Sequence, residues 1–447
     1  MNNTRRDINV GLIGLGTVGA GVARILLEQG DRIRNRLGVN LNLKAIADLD
    51  VSRDRGLNLP PGLLSGDVSR ILDDPEIDVV VELIGGKDAA KRFILKALEN
   101  GKHVVTANKA LLAEDGKPLF EASTRYGKDL LFEASVAGGI PIIRTLKEGL
   151  AANRILQIQG ILNGTCNYIL TKMTEEGSDF ETVLAEAQNL GYAEADPTFD
   201  VDGHDTAHKV AILTALSFGV DVDFSRLYVE GIRHITPLDI QLAGEFGYRV
   251  KLLGMCRCDG GDIEARVHPT MIPEKHMLAT VNLAYNALLV VGDAVGNIML
   301  YGAGAGEMPT ASAVVADIIE LARNIPHNVS GRVPSLAFEQ SYLKERPIKP
   351  MDDVESRYYF RFSALDRPGV LSKISGILGN RLISIASVIQ KARRYRGAVP
   401  IVMLTHRALE RNVQAALAEI DRLEEVRNKT MMIRVEDEDE TVEPEPQ

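Results

Sequence analysis

Tryptophan is missing from this chain of 447 residues, and cysteine occurs only three times, at Cys166, Cys256 and Cys258. Three scattered thiols make neither a disulfide framework nor a zinc set. Cys256-Arg-Cys258 lies in an alternating, strand-like stretch and reads as reduced, packed thiol. Long apolar runs are missing too. None approaches the ~18 residues of a membrane span, and residues 1–6, polar and charged, lack the apolar core of a signal peptide. Positive charge is in deficit: a net charge of −10 argues against a nucleic-acid partner. These absences lead to the expectation of a cytoplasmic chain with no membrane and no nucleic acid among its partners.

What the chain does have, near its start, is a strand feeding a glycine-rich turn. Residues 8–13 are a short apolar strand, Gly14-Leu15-Gly16-Thr17-Val18-Gly19 follows, and residues 18–27 continue as a helix with Val22, Ile25 and Leu26 apolar. A GxGxxG in a strand–turn–helix frame is the setting that dinucleotide binding requires. Gly14 permits the tight turn, Gly16 lets the backbone approach the pyrophosphate, and Gly19 lets helix and strand pack closely. The phosphates then lie on free N–H groups at the helix start. The next strand, residues 41–47, ends in Asp48, the candidate ribose partner; it lies beyond the usual spacing because the helix extends through residues 28–36. Asp48 favours NAD, since a carboxylate repels a 2′-phosphate, whereas Arg53 and Arg55 suit one. NAD and NADP both stay open.

The length suggests two or three domains. Strands (77–84, 103–107, 129–133) and helices (88–100, 118–126) alternate up to about residue 135, which predicts a doubly wound α/β sheet with ligands at the carboxyl ends of its strands. Thr106, Asn108 and Lys109 lie at one such end. The middle region then changes character. Residues 155–162 and 263–269 read as strands, 286–299 as a hairpin about Gly292-Asp293, and Asn163-Gly-Thr-Cys-Asn167 leads into a helix over 168–173. A second glycine-rich loop ends in Gly306. Thr310 is expected to cap a helix over 311–322 that returns to the first domain, with Gly306 close to the dinucleotide.

Between these elements lies a dense acidic block. Glu194, Asp196, Asp200, Asp202, Asp205 and Lys209 precede the apolar helical stretch 210–218. With the helix starting near Asp205, Asp205 and Lys209 stand one turn apart on one face. A lysine held beside carboxylates at a helix mouth can bind a small polar substrate and move its proton. The plainer alternative is a solvated acidic turn with an i,i+4 ion pair.

Residues 326–356 read as a linker. Residues 357–435 follow a βαββαβ order, the ferredoxin-like arrangement. Seven of the ten residues 436–445 are acidic, so 436–447 is expected to be a disordered tail.

Taken together, Gly-Leu-Gly-Thr-Val-Gly, Thr-Ala-Asn-Lys109, Gly-Ile-Leu-Asn-Gly-Thr-Cys-Asn-Tyr-Ile-Leu and Gly-Tyr-Ala-Glu-Ala-Asp-Pro with Asp-Gly-His-Asp-Thr-Ala-His-Lys resemble homoserine dehydrogenases from residue 8 to about 325. Residues 357–435 resemble an ACT domain, through Asp366-Arg-Pro-Gly369. The resemblance implies a Rossmann-type domain over 1–135 with a return helix at 310–325, an α+β catalytic and dimerisation domain over 136–309, and a regulatory ACT domain. It implies reversible NAD(P)-dependent interconversion of L-aspartate 4-semialdehyde and L-homoserine, in the branch leading to threonine and methionine, by a homodimer or homotetramer. Lys209 is then the acid/base, Lys109 lies beside nicotinamide and substrate, and Glu194 binds the substrate ammonium. Asp205 contacts substrate and orients Lys209, with Asp200 nearby in the same loop. A free lysine titrates at about 10.4, so this role asks for a value lowered toward about 7–8, with Lys109 as a neighbouring cation.

The same resemblance makes Glu133, Val136, Gly138 and Ile140 a monovalent-cation loop, with sodium held mainly by backbone carbonyls; a plain strand-to-helix hinge is the alternative. Asp366, Pro368 and Gly369 become the effector loop, for L-threonine. Truncation after about residue 345 is expected to leave an active enzyme blind to threonine. Two rivals are a Rossmann oxidoreductase for another substrate, which the 194–209 block opposes, and a non-catalytic amino-acid sensor. The sensor should have lost its lysines or glycines, yet Gly14, Gly16, Gly19, Lys109 and Lys209 all stand.

Overall fold

A computed structural model describes residues 6–259, 261–390 and 398–437; residues 391 and 397, at the ends of strands expected over 383–391 and 397–405, and 438–447 of the expected tail lie outside them. The first domain is built on a six-stranded parallel sheet in the order Leu64–Ser65, Leu41–Ala47, Ile8–Ile13, Val79–Glu82, His103–Thr106, Leu130–Leu131. Its central strands are mostly apolar because both faces are covered. Val10 and Leu12 pack with Val22 and Val314 on one side, while Val80 and Val104 pack with Ile94 and Leu119 on the other. The strand order reverses beside Ile8–Ile13, and there the glycine turn emerges, at the crevice where such sheets bind ligands.

Two expected elements are corrected. The first helix ends at Glu28, and after Gln29 a second, Gly30–Leu37, begins, so no single helix runs to residue 36. The return helix is Glu307–Asn324 and starts from Gly306 (φ 120°), which places Thr310 inside its first turns and not at its cap. This helix lies tight on Thr17–Glu28. A Cβ on Gly21 would stand 2.8 Å from the Glu307 carbonyl oxygen and 2.9 Å from the Ala311 Cβ.

The second sheet runs Gly296–Ala303, Tyr285–Gly292, Ile155–Ile161, Tyr248–Asp259, Asp262–Pro273, Met431–Val435, Glu355–Ala364, Val399–Thr405, Ile385–Gln390. The first five strands belong to the middle region and the last four to the C-terminal domain. That domain has the expected ferredoxin-like order, with Val370–Asn380 and Glu410–Ile420 sharing its core. Its last strand pairs in parallel with Asp262–Pro273, so the two domains share one sheet.

Accordingly, the segment before it is a packed strap. Lys344–Glu345 pairs with Val220–Asp221, and Ile348 is buried opposite Ile263. Glu436 and Asp437, expected in the tail, are held in place: Glu436 by Arg266, and Asp437 by Tyr248 and Arg357. The truncation expectation changes with this. A cut near residue 345 would strip Arg361 from the fully buried Asp239, and breaking a buried pair costs about 3–5 kcal/mol.

Helix His204–Phe218 lies on the middle sheet. A Cβ on Gly254 would collide with Val210 (2.5 Å) and Thr206 (2.9 Å), so this glycine lets the helix settle onto Tyr248–Asp259. The N-terminal end of that helix and the start of Lys109–Asp115, from the first domain, meet at the site described next.

Candidate active site

The three glycines of the first turn differ in what surrounds them. Gly14 has φ 99°, and a Cβ there would stand 2.7 Å from the Leu83 carbonyl oxygen. A Cβ on Gly19 would stand 2.1 Å from the Gly14 carbonyl oxygen, whereas around Gly16 nothing lies within 4 Å. A turn, an open approach and a tight helix–strand contact are the three properties a pyrophosphate cradle needs. Gly16 is the N-cap of Thr17–Glu28 without any side-chain cap, which leaves the first N–H groups available to an anion.

Asp48 turns toward this loop. Its Oδ2 accepts from the Leu15 N–H at 2.6 Å, and its Oδ1 pairs with Arg55 at 3.1 Å, while Arg55 Nε donates to the Leu15 carbonyl at 2.6 Å. The carboxylate is therefore already braced by the turn and by Arg55. Arg53 is exposed and its side chain does not share that brace.

The catalytic candidates converge on one carboxylate. Lys209 Nζ donates to Asp205 Oδ2 at 2.6 Å and to the Leu162 carbonyl at 2.6 Å, and Lys109 Nζ lies 2.8 Å from Asp205 Oδ1. Asp205 and Lys209 are buried, and Lys109, off the end of strand His103–Thr106, is half-buried. Burial pulls the Lys209 ammonium below its ordinary range; Asp205 offsets part of that, and Lys109 adds to it. Burial also opposes the charge on Lys109, but Asp205, with Asp200 and Glu194 adding, outweighs it, and Lys109 titrates above its ordinary range. Burial opposes ionisation of Asp205 as well, yet the two lysines hold it ionised far below the usual carboxylate range. The arrangement pairs one carboxylate with two cations, one held above and one below the ordinary lysine range.

Asp200 joins the cluster through Asn163, whose amide donates to Asp200 Oδ1 at 2.7 Å and to Asp205 Oδ2 at 2.9 Å. Burial, and then repulsion from Asp205, push the Asp200 carboxyl up. Glu194 is exposed at the rim of the same loop.

Three supporting residues escape sequence reasoning. Asn163, expected only to lead into a helix over 168–173, caps Gly164–Glu176 by accepting from the Cys166 N–H, but the bridge between two aspartates needs the fold. His208 is buried, with Nε2 2.7 Å from Glu114 and its ring stacked on Phe224 at 4.5 Å. Glu82 hides inside an apolar strand. It is fully buried, accepts from the Thr106 hydroxyl at 2.6 Å and the Ile84 N–H at 2.8 Å, and burial pushes it up to about 7. Thr106, expected beside the cofactor, thus gives its hydroxyl hydrogen to Glu82 and accepts from the Asn108 N–H, fixing the loop from which Lys109 starts.

In the 133–140 loop, the Glu133 carboxylate accepts from the Ile143 and Arg144 N–H groups at 2.9 and 2.8 Å, so it caps a short helix. Ala137 and Gly138 are both left-handed, with φ 55° and 54°. A Cβ on Gly138 would stand 2.4 Å from the Gly304 carbonyl oxygen, which ties this loop to the second glycine-rich loop. The Ile140 carbonyl already accepts from the Ile142 N–H at 2.8 Å. In the C-terminal domain, residues 366–369 are exposed, and Gly369 (φ 89°) begins Val370–Asn380 with no side-chain cap, Asp366 included. A separate cavity of about 850 Å³ on the far side of His204–Phe218 is lined by Phe120, Ile212, Val222 and Phe338 and reaches none of Lys109, Asp205 or Lys209.

Comparison with known proteins agrees with this layout. The family described as homoserine dehydrogenase, NAD binding domain, matches residues 14–133; homoserine dehydrogenase matches 141–319; and the ACT domain matches 358–425. A homoserine dehydrogenase of Neisseria gonorrhoeae is 48% identical over 96% of this chain and 99% of its own. The crystal structure of a homoserine dehydrogenase from Thiobacillus denitrificans, 49% identical, superposes with a TM-score of 0.91 over 97% of this chain and 99% of its own. A hyperthermophilic archaeal homoserine dehydrogenase in complex with NADPH, 28% identical, covers 71% of this chain and 98% of its own with a TM-score of 0.61. With these matches spanning the nucleotide turn, the lysine–aspartate cluster and the C-terminal domain alike, the chain belongs to the homoserine dehydrogenase family of oxidoreductases.

Proposed function

We propose that the chain interconverts L-homoserine and L-aspartate 4-semialdehyde with Lys209 as the proton carrier. The observation that carries this reading is the Asp205 carboxylate shared by Lys109 and Lys209 at the mouth of a buried helix. A nicotinamide dinucleotide, cradled by Gly14, Leu15, Gly16, Thr17, Val18 and Gly19, supplies or removes the hydride at the carbinol carbon. The chain's own residues do the rest. In oxidation, neutral Lys209 takes the hydroxyl proton; in reduction, charged Lys209 returns it to the aldehyde oxygen. Asp205 orients Lys209 and keeps Lys109 charged, and Glu194, with Asp200 behind it, receives the substrate ammonium. Thr106 and Gly306 border the cofactor.

Asp48 and Arg55, locked together beside Leu15, face the ribose with one charge of each sign, with Arg53 outside them, so NAD and NADP are both admitted. The test is an absorbance assay for reduced nicotinamide with L-homoserine, run separately with each cofactor. Silence with both, from folded protein at neutral to alkaline pH, refutes the reading.

Three finer points belong to the same proposal. The ACT domain senses an amino acid at Asp366, Pro368 and Gly369, and L-threonine, as an end product of the branch, lowers activity. The open N–H groups at Gly369 support this, and calorimetry with inhibition at millimolar threonine tests it. The carbonyls at Glu133, Val136, Gly138 and Ile140 hold sodium in a structural role; the double left-handed turn supports it, and a melting temperature insensitive to sodium against choline refutes it. The chain self-associates through the sheet edge Gly296–Ala303, where Tyr301 and Tyr285 are exposed and stacked, as a dimer or tetramer in the cytoplasm. Sedimentation as a monomer at micromolar concentration would refute that assembly.

A further inference from the structure

Among the contacts between the C-terminal and catalytic domains is one fully buried guanidinium. Arg434, on Met431–Val435, is 1% exposed and every nitrogen is used. Nε and Nη2 donate to the two oxygens of Glu410 at 2.9 and 2.5 Å, Nη1 donates to Glu230 Oε2 at 2.7 Å, and Nη2 also reaches the Tyr228 hydroxyl at 3.1 Å. Its plane lies over the Tyr228 ring, 4.7 Å from the centroid. Glu410 is part of the C-terminal domain, where the Tyr358 hydroxyl binds it at 2.8 Å. Glu230 and Tyr228 are part of the catalytic domain.

On its other side, Glu230 opens a segment that lies directly under the substrate loop. The Ile232 N–H donates to the Val201 carbonyl at 2.8 Å, and Arg233 Nε donates to Asp202 Oδ1 at 2.5 Å. At Gly231 the two backbones nearly touch: a Cβ there would stand 2.2 Å from the Val201 carbonyl oxygen and 2.4 Å from the Asp202 Cα. The turn Thr198–Val201 carries Asp200, which shares Asn163 with Asp205. Direct contacts thus run without a gap from the last strand of the C-terminal domain to the carboxylates of the site.

We propose that Arg434 is a positioning residue for homoserine: its ion pair with Glu230 sets residues 230–233 beneath Thr198–Val201, and so fixes the loop that receives the substrate. An arginine serving only to hold its own domain together would need Glu410 alone. Here one donor crosses the boundary to the carboxylate whose neighbours touch the loop. Any ligand that shifts the last strand then acts on substrate binding through this contact. The inference rests on homoserine being the substrate.

The test compares Arg434→Met, Glu230→Ala, the double variant and Tyr358→Phe in the full-length enzyme. Tyr358→Phe loosens Glu410 within the C-terminal domain and leaves Glu230 untouched. Each of the first two should raise KM for homoserine about fivefold, the scale at which residues along a coupled network act. Cofactor KM should stay within twofold, and the double variant should be no worse than the worse single. Tyr358→Phe should lower the melting temperature and leave homoserine KM at the wild-type value.

Should Arg434→Met fail to fold, Glu230→Ala against Tyr358→Phe decides alone. A wild-type homoserine KM in Glu230→Ala, a double variant equal to the product of the singles, or cofactor KM rising in step would each overturn the proposal. A wild-type enzyme inactive on homoserine would refute the substrate reading by itself. Hydrogen exchange over residues 198–203 would still decide the positioning role, since Glu230→Ala should speed it and Tyr358→Phe should not; equal exchange in both would overturn it.

Discussion

Two buried charge clusters in this molecule have opposite compositions. At the mouth of His204–Phe218 one carboxylate, Asp205, serves two lysines; at the domain boundary one guanidinium, Arg434, serves two carboxylates. Both are centred on a buried group, and both are closely bonded. They differ in what can move. A lysine surrounded by low dielectric and a second cation can shed its proton, because an ammonium shifts readily on burial. A guanidinium cannot, and burial between Glu410, Tyr228 and Glu230 leaves it charged. An excess of cations over a shared anion makes a proton mobile, while an excess of anions around an arginine makes a fastener. A third cluster, Asp317 beside Glu133 with Arg144 at its edge, has too many carboxylates, and there burial and Glu133 push Asp317 up to about 8.

On the proposed mechanism, removing the proton carrier has the largest effect. Lys209→Ala should lower kcat for homoserine oxidation by roughly 10²–10⁴-fold while cofactor affinity, read by nicotinamide fluorescence, stays near wild type. Wild-type turnover in this variant would reassign the proton to Lys109. Next comes the rim of the same cluster. Glu194→Gln should raise KM for homoserine roughly tenfold or more, since hydrogen bonds to charged groups contribute about 1.5–3 kcal/mol, with a much smaller change in kcat. Steady-state kinetics in both directions separate the two parameters.

The smallest effect belongs to the acid-rich cluster and concerns stability. Asp317 has a folded-state value raised above the unfolded one, so its contribution is full below the unfolded value and is lost as pH rises through about 8. Asp317→Asn keeps an acceptor for the Glu133 N–H and needs no proton. Its melting temperature relative to wild type should therefore rise between pH 5 and pH 9 by about a few degrees, read by calorimetry. A gap that stays constant with pH would show that Asp317 is ionised throughout.

Much of this was legible in the sequence because single residues carried unambiguous steric demands. The glycine turn, the parallel strands and the i,i+4 pair of Asp205 and Lys209 follow from spacing alone. The doubly wound first-domain sheet and the C-terminal βαββαβ order also match their patterns. What stayed hidden depends on contacts between distant segments. Asn163 and Asp205 are forty-two positions apart, and Glu82 looks like an interruption in an apolar strand until Thr106 is placed beside it. The fused sheet was invisible for the same reason. Nothing in Met431–Val435 announces that it will pair with Asp262–Pro273, and so a packed strap read as a linker and Glu436 read as tail. Thr310 misled because threonine caps helices well, but Gly306, four residues earlier, already turns the chain.

The pH profile of kcat/KM for homoserine oxidation, in wild type and in Lys109→Met, tests the shared carboxylate most directly. In the proposed mechanism oxidation needs neutral Lys209, so the rate should climb with pH along a limb set below the ordinary lysine range by burial and by Lys109. Lys109→Met removes the second cation and leaves Asp205 to Lys209 alone, and both changes favour the ammonium. The limb should move to higher pH. A limb that keeps its place, or moves to lower pH, would contradict the pairing of a fixed and a mobile cation on Asp205.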